Sequence, residues 1–130
     1  NFKGVAACFQ AKVTNIVDGD TLDVKLYAIE GYHIDFRIRL ALANTPERGS
    51  PGFDNATKFT ASICQIGSDA ILDEDDKQSE RSFGRIVAVV HCNKQNLNAA
   101  LLLNGHATIL KEYCARSEFS IEPWAVLHGC

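Results

Sequence analysis

Residues 9–42 read FQAKVTNIVDGDTLDVKLYAIEGYHIDFRIRLAL, and apolar residues occupy every second position in three stretches of this segment. Such alternation is typical of β-strands with one buried face. The connection Asp18-Gly19-Asp20 has the composition of a turn between the first two strands. Three consecutive strands with short connections favour an antiparallel meander. The alternating apolar sets are Phe9, Ala11 and Val13; Leu22, Val24 and Leu26; and Ile34, Phe36, Ile38, Leu40 and Leu42.

The remaining sequence mixes helical and strand patterns. Helices are predicted over residues 53–64 and 97–103 and from Ser120 onwards, and strands over residues 70–72 and 85–92. Gly67 and Gly105 follow the first two helices as stop signals. Asn96 is a suitable N-cap for the second helix, and Pro123 fits only the first turn of the last one.

This order of elements predicts an α+β fold. Five strands, the first three of them consecutive, with about three helices fit a five-stranded Greek-key barrel of the OB type. The 130 residues suffice for one domain with a core, so we expect residues 1–130 to form a single domain. No apolar run reaches the roughly 20 residues that span a bilayer.

The net charge argues against one class of nucleic-acid-binding protein. The formal charge is −3, whereas proteins that bind nucleic acid through a broad surface are usually basic. An enzyme needs only a local cluster of cations around one phosphate, and the net charge does not report on such a cluster.

Carboxylates and arginines concentrate beside three predicted turns. The segments are residues 17–21 (VDGDT), 39–47 (RLALANTPE) and 83–85 (FGR). Oxygen ligands at turns suit a hard cation such as Ca²⁺ or Mg²⁺, and guanidinium groups bind phosphate oxygens two at a time. A metal, an arginine and a carboxylate together suit cleavage of a phosphate ester. Taken alone, the first segment is more often a surface turn and the arginines of the second are more often a solvated strand face, while the third carries almost no information. The prediction therefore depends on their combination.

These segments resemble the motifs of the staphylococcal nuclease (thermonuclease) family, over nearly the whole chain. Residues 16–22 (IVDGDTL) are similar to the family's D-G-D-T turn, and residues 39–47 to its R-L-x-x-x-D-T-P-E motif. Residues 83–85 match an aromatic-Gly-Arg motif, and residues 97–107 match the helix end N-x-x-L-x-x-x-G-x-A. The resemblance implies an OB-type barrel and a calcium-dependent nuclease that cuts DNA or RNA to 3′-phosphate and 5′-hydroxyl ends.

The resemblance also implies a calcium site and a group that handles water. Asp20 and the backbone carbonyl of Thr45 would bind Ca²⁺. Asn44 occupies the position of the family's second aspartate ligand. Its amide oxygen can coordinate Ca²⁺, but one negative charge is lost and we expect weaker metal binding. Glu47 would hold or activate the attacking water.

Two arginines and a nucleotide pocket complete the implied site. Arg39 and Arg85 would bind the scissile phosphate and neutralise the charge that builds in the transition state. The sequence departs from the best-known member at Ser82, which replaces a lysine, and at Lys111, which replaces a tyrosine. The implied substrate-binding residues are Phe83, Lys111 and Tyr113.

The five cysteines lack the C-x-x-C spacing of a structural zinc site. In the family's fold, Cys64 would lie near the end of the first helix and Cys92 at the end of the fifth strand, while Cys114 and Cys130 would bracket the terminal helix. The resemblance therefore implies two disulfides, with Cys8 left over, in an extracellular or cell-envelope protein. Five buried thiols in a cytosolic protein are the alternative.

Two other classes of function remain open. A non-catalytic nuclease-like barrel could bind nucleic acid or a protein partner, although such modules tend to lose the catalytic arginines and carboxylates that this chain retains. An OB-type binder of single strands would need exposed aromatic residues along a basic groove. Its candidate aromatics are Tyr27, Tyr32 and Tyr113. We expect an active nuclease that acts on DNA, RNA or both as a monomer, with no membrane span in this chain.

Overall fold

A closed barrel of five strands lies at the centre of the computed structural model, which describes residues 8–29, 31–78 and 85–130, with the backbone alone at residues 27–29 and 85. The strands are β1 Cys8–Asp18, β2 Thr21–Ile29, β3 Tyr32–Leu40, β4 Ala43–Asn44, β5 Asp69–Glu74, β6 Arg85–Cys92, β7 Gln95–Asn96 and β8 Thr108–Ile109. The helices are α1 Phe53–Ile63, α2 Leu97–Leu103, α3 Pro123–Leu127 and the 3-10 helices Lys111–Arg116 and Glu118–Ile121.

The barrel is closed by a parallel pair. The strand order is β3-β2-β1-β5-β6 with antiparallel neighbours, and β3 then pairs parallel with β6. The predicted meander of three strands and the α+β class with an OB-type barrel are confirmed. The strand predicted over residues 70–72 is longer than expected, because β5 continues to Glu74 and includes two residues of the acidic run.

Most of the alternating apolar residues fill the interior of the barrel, but Ile34, near the start of β3, is 48% exposed. Leu22, Val24 and Ile38 have no exposed surface, and β5, β6 and the inner faces of α1 and α2 add to the same core. Asn96 caps α2 by accepting a hydrogen bond from Ala99 N, as predicted. Within the described residues, no helix is long and apolar enough to cross a membrane.

Leu42 departs from the predicted strand pattern. The third strand ends at Leu40, and Leu42 has a φ of +65° while its side chain is buried. The chain reverses here because Ala41 N donates to Ala88 O on β6. Leu42 therefore leaves the barrel interior and packs in a second apolar cluster, beneath the C-terminal segment.

The C-terminal segment, residues 111–130, packs on the barrel through this second cluster and is closed on itself by a disulfide. Phe119 and Ala125 pack on Leu42 and its neighbours, and Cys114 is bonded to Cys130. A second disulfide joins Cys64, after α1, to Cys92 at the end of β6. Both predicted disulfides are confirmed, and Cys8 carries a free thiol.

Candidate active site

The turn between β1 and β2 is tightly surrounded by residues from later in the chain. An added Cβ at Gly19 would lie 2.8 Å from Thr45 Cγ2 and 2.9 Å from Ala56 Cβ, so this position leaves no room for a side chain. Thr60 Oγ1 on α1 donates to Gly19 O at 2.6 Å. These contacts fix Asp20 relative to α1 and to the loop after β4.

Asp20 is a buried carboxylate with partners on both oxygens. Its Oδ2 accepts a hydrogen bond from Thr45 N at 3.0 Å and lies 3.5 Å from Arg39 Nη1, while Oδ1 accepts from Thr21 Oγ1 at 3.0 Å. Burial by itself raises the pKa of Asp20, but the Arg39 charge and the donated hydrogen bonds outweigh it and lower the pKa. Asp20 is therefore ionised at neutral pH.

Asp18 is a second carboxylate at this turn, to which the sequence analysis assigned no role. Its Oδ1 accepts a hydrogen bond from Asp20 N at 3.1 Å. Burial and the neighbouring Asp20 carboxylate raise the pKa of Asp18. The sequence feature that could have identified Asp18 is its position in the same VDGDT motif as Asp20.

Arg39 is held against the backbone at the end of β3. Its Nη1 donates to Ala43 O at 2.8 Å and to Leu40 O at 3.2 Å, and Nη2 lies 3.4 Å from Asn44 Oδ1. The side chain is 17% exposed. Among the described residues these contacts leave the Nε hydrogen and one Nη2 hydrogen without a protein acceptor. The guanidinium can therefore bind an anion without losing its position.

The loop after β4 forms an open depression of about 530 Å³. Asn44, Thr45 and Glu47 line it together, and Asn44 and Glu47 are exposed whereas Thr45 is buried. Through Thr45 and Asn44 this depression adjoins Asp20 and Arg39. The structure thus brings four of the predicted residues into direct contact and places Glu47 beside them. His106, which the sequence analysis did not single out, also lines the depression and stacks on Phe59, with ring centroids 4.6 Å apart.

The oxygen donors here fit a hard cation in kind. A carboxylate at Asp20, an amide oxygen at Asn44 and the backbone at Thr45 offer ligands of the type that Ca²⁺ prefers. Over the residues that the structure describes, no three His, Cys, Asp or Glu side chains form a group that could hold a metal ion. A cation at this site would therefore depend on amide and backbone oxygens as well as carboxylates.

A cleft of about 390 Å³ also contains Arg39. Tyr113, one of the predicted substrate-binding residues, lines it together with Glu112 and Arg116, which the sequence analysis did not identify. Lys111 does not line this cleft, and its side chain lies against Gly129. The remaining lining residues are Leu40, Leu42, Gln78, Val87 and Leu110.

Arg85 begins β6 and is in register with Arg37 of β3, two residues before the pair Arg39 and Val87. This backbone register places Arg85 next to the strand end that carries Arg39. The Arg85 side chain lies outside the described part of the chain, as do Ser82 and Phe83.

The structure is thus an OB-type barrel with an arginine–carboxylate pair beside an open cleft. A family model described as staphylococcal nuclease homologue matches residues 37–122, and the chain belongs to this family. The resemblance of the sequence motifs to this family is confirmed, and with it a nuclease-like, nucleic-acid-binding fold. The match does not include the turn that carries Asp20. The Asp20 side chain contacts Thr45 and Arg39, which both lie within the matched region. A search of curated proteins finds no match.

Proposed function

We propose that the protein is a calcium-dependent nuclease that hydrolyses phosphodiester bonds of DNA, RNA or both, leaving 3′-phosphate and 5′-hydroxyl ends. Residues 1–130 would act as a single domain and as a monomer. The main support is the arrangement of Arg39, which is held by Asp20 and two carbonyls, while some of its donors have no acceptor among the described residues.

Arg39 would bind the scissile phosphate through its free Nε and Nη2 hydrogens, and Arg85 would supply a second guanidinium. During attack, negative charge increases on the non-bridging phosphate oxygens. A cation that is already held in place stabilises this charge without reorganisation, and therefore stabilises the transition state more than the bound substrate. The contacts of Arg39 with the Ala43 and Leu40 carbonyls provide this preorganisation.

Asp20, Asn44 and the Thr45 carbonyl would hold Ca²⁺. When bound, the ion would polarise a phosphate oxygen and attract the incoming water. Glu47 would accept the proton of that water on a carboxylate oxygen, since it is exposed in the same depression as Asn44 and Thr45. The proton finally needed by the 5′ oxygen leaving group can come from solvent, because the depression is open.

The disulfides support a location in an oxidising compartment, extracellular or exposed at the cell envelope. Nucleic acid outside the cytosol would then be the substrate. Millimolar extracellular calcium would also suit a site with a reduced number of carboxylates, because weaker sites are found where the ion is abundant.

One observation favours a second candidate, a non-catalytic barrel that binds nucleic acid or a protein. Asn44 stands where the resemblance implies an aspartate, and the metal site has few charged ligands. If the cation does not bind, Arg39 and the cleft can still bind phosphate, but Glu47 has no activated water to deprotonate.

An assay of cleavage and binding decides between these candidates. Supercoiled plasmid and a fluorescent single-stranded oligonucleotide are incubated with the protein in Ca²⁺ or in chelator, and the product ends are tested for 3′-phosphate. We expect the wild type to cleave in Ca²⁺ and not in chelator. Glu47→Gln should cleave about 10²-fold more slowly or worse, and its binding of the oligonucleotide should be unchanged. Asp54→Asn, an exposed acid in the first turn of α1, is the matched control. Oligonucleotide binding without cleavage in Ca²⁺ would instead support the non-catalytic barrel.

A further inference from the structure

The cleft beside Arg39 has a second arginine, which the proposed reaction does not use. Arg116 ends the 3-10 helix Lys111–Arg116, and the side chains of Tyr113 and Arg116 line the same cleft. In a 3-10 helix the side chains at positions i and i+3 eclipse each other. Accordingly, the Arg116 guanidinium lies 5.3 Å from the centroid of the Tyr113 ring.

Arg116 is exposed and is not neutralised by an ion pair. Among the described residues no carboxylate forms a salt bridge with it, and its described contact is the Tyr113 ring. Arg39, by contrast, is paired with Asp20. Glu112 is the carboxylate that shares the cleft with these two arginines. A guanidinium that stacks on an aromatic ring keeps its edge free for hydrogen bonds to an anion.

The backbone at Arg116 is anchored on both sides. Cys114, two residues earlier, is tied to Cys130. Ser117, the next residue, donates its hydroxyl to Asp75 Oδ2 at 2.5 Å, and Glu118 N donates to Asp75 Oδ1 at 3.1 Å. A cation on such a segment loses little backbone freedom when it binds a ligand, and this preorganisation favours affinity.

The chemistry of the cleft is that of one nucleotide unit. Its volume of about 390 Å³ is in the range of small-ligand sites. Leu40, Leu42 and Leu110 provide apolar surface for a base or sugar, and the tyrosine offers an aromatic edge. With Arg39 contributed by β3 and Arg116 by the C-terminal segment, the cleft has two separate cationic groups.

We infer that Arg116 binds a second phosphate of the strand, adjacent to the phosphate bound by Arg39, and thereby makes the protein prefer polynucleotide strands over ligands with a single phosphodiester. This inference rests on the proposed function for the position of the first phosphate. Arg116 is a specificity-determining residue in this assignment and takes no part in bond breaking.

The test compares Arg116→Ala with Arg48→Ala. Arg48 is also exposed and lies 5.0 Å from an aromatic centroid, that of Phe53, but it does not line the cleft. Binding of a fluorescent single-stranded octanucleotide is measured in chelator at several salt concentrations. We expect Arg116→Ala to weaken binding about five- to tenfold and to reduce the salt slope by about 0.7, the value for one phosphate contact on a single strand. Arg116→Lys should retain the slope and recover part of the affinity, and Arg48→Ala should change neither.

A second arm uses Ca²⁺ and compares kcat/KM for the octanucleotide with that for a dinucleoside monophosphate, which has one phosphodiester. We expect Arg116→Ala to lower the first and to leave the second within about twofold. Equal losses on both substrates, equal effects of Arg116→Ala and Arg48→Ala, or no binding of the octanucleotide would each overturn the inference. Because the first arm needs no cleavage, an inactive wild type that shows the Arg116-dependent slope would refute the nuclease and leave the second phosphate site standing.

Discussion

Asp20 and Asp73 are both buried aspartates, with 8% and 4% of their surfaces exposed, yet their pKa values move in opposite directions. Asp20 accepts hydrogen bonds from Thr45 N and Thr21 Oγ1 beside the Arg39 guanidinium, and its pKa is lowered. The Oδ1 atom of Asp73 is buried with no hydrogen-bond partner among the described residues, and the pKa is raised to about 6. The same side chain therefore keeps its charge to a lower pH than usual in one region and takes up a proton near pH 6 in the other.

The difference arises from what the fold places around each carboxyl group. Asp73 lies on β5 in a small cavity of about 60 Å³ with His91 of β6 and with Glu118 and Glu122 of the C-terminal segment. Burial is the main cause of its raised pKa, and the charges of Glu118, Asp76 and Glu122 add to it. A buried acid that faces other acids takes up a proton at a higher pH than usual, whereas one that faces an arginine and N–H groups stays ionised to a lower pH. The surroundings of Asp20 therefore let this carboxylate position an arginine.

The largest expected effect comes from removing the partner of Asp20. Arg39→Ala should lower kcat by about 10²–10³, because a preorganised donor to the transition state is lost. The pKa of Asp20 should rise, since burial remains while the opposing charge is gone. Cleavage kinetics and a carboxyl titration by NMR measure the two effects. The control is Arg37→Ala. Arg37 is exposed, lies on the same strand as Arg39 and is bonded to Asp23 of β2, so its removal should leave kcat nearly unchanged. A near-normal kcat in Arg39→Ala would refute the catalytic assignment.

The next largest effect is expected from loosening the C-terminal segment, and it tests whether this segment helps to raise the pKa of Asp73. The double change Cys114→Ala and Cys130→Ala opens a loop with a sequence separation of 16 and should lower the free energy of unfolding by about 3 kcal/mol. Loosening this segment moves Glu118 and Glu122 away, so the pKa of Asp73 should fall. Urea unfolding and NMR titration measure these changes. The denatured, unreduced wild type should expose one free thiol, and a count of five would contradict both disulfides.

A third prediction concerns the pH dependence of stability. The pKa of Asp73 is raised from 3.8 to about 6, so the folded state holds a proton that the unfolded state releases. The free energy of unfolding that this bound proton contributes is fully present below about pH 3.8. It is lost as the pH rises through about 6 and does not return at higher pH. Asp73→Asn mimics the protonated form, so it should match the wild type near pH 4 and be more stable at pH 8 by about 1–3 kcal/mol.

The control for this pH effect is Asp69→Asn, at the exposed start of the same strand, where the carboxylate pairs with Lys12. Chemical unfolding from pH 4 to pH 8 should show a difference between wild type and variant that grows towards pH 6 for Asp73 and not for Asp69. An Asp73→Asn variant that is less stable than the wild type at pH 8 would show that the Asp73 carboxylate has a stabilising partner.

The smallest expected effect concerns the charge at the proposed metal site. Asn44→Asp adds a carboxylate beside Asp20, and Ca²⁺ binding should tighten a few-fold, because desolvation and pairing with Arg39 Nη2, which lies 3.4 Å from Asn44 Oδ1, offset most of the Coulomb gain. Calorimetric titration with Ca²⁺ measures it. Gln65→Glu, an exposed change of the same charge, should leave the affinity unchanged. An unaltered affinity in Asn44→Asp would mean that Asn44 does not contact the ion.

Much of the fold could be predicted because its signals are local. The alternation along the first three strands, the Asn96 cap and the Pro123 start of the last helix depend on residues within a few positions of each other, and each is confirmed. Leu42 was predicted to continue the third strand, whereas it packs in the second cluster with residues distant in the sequence, such as Phe119 and Ala125. Arg116 was missed for a similar reason, since it lines the same cleft as Arg39 only because the C-terminal segment folds onto the barrel.

The sequence by itself determined the barrel, the positions of its turns and the residue types available at the candidate site, because side-chain periodicity and turn chemistry act between near neighbours. The tertiary structure alone decided the direction in which the pKa of each aspartate moves. The VDGDT motif and residues 73–76 are both acidic stretches, and the acidic residues within a stretch do not reveal which groups of other elements will surround them. Arg39 and Thr45 approach Asp20 from other elements, while Glu118 and Glu122 approach Asp73. Because the energy of a buried charge depends on the groups that surround it in space, their arrangement in the fold lowers the pKa of Asp20 and raises that of Asp73.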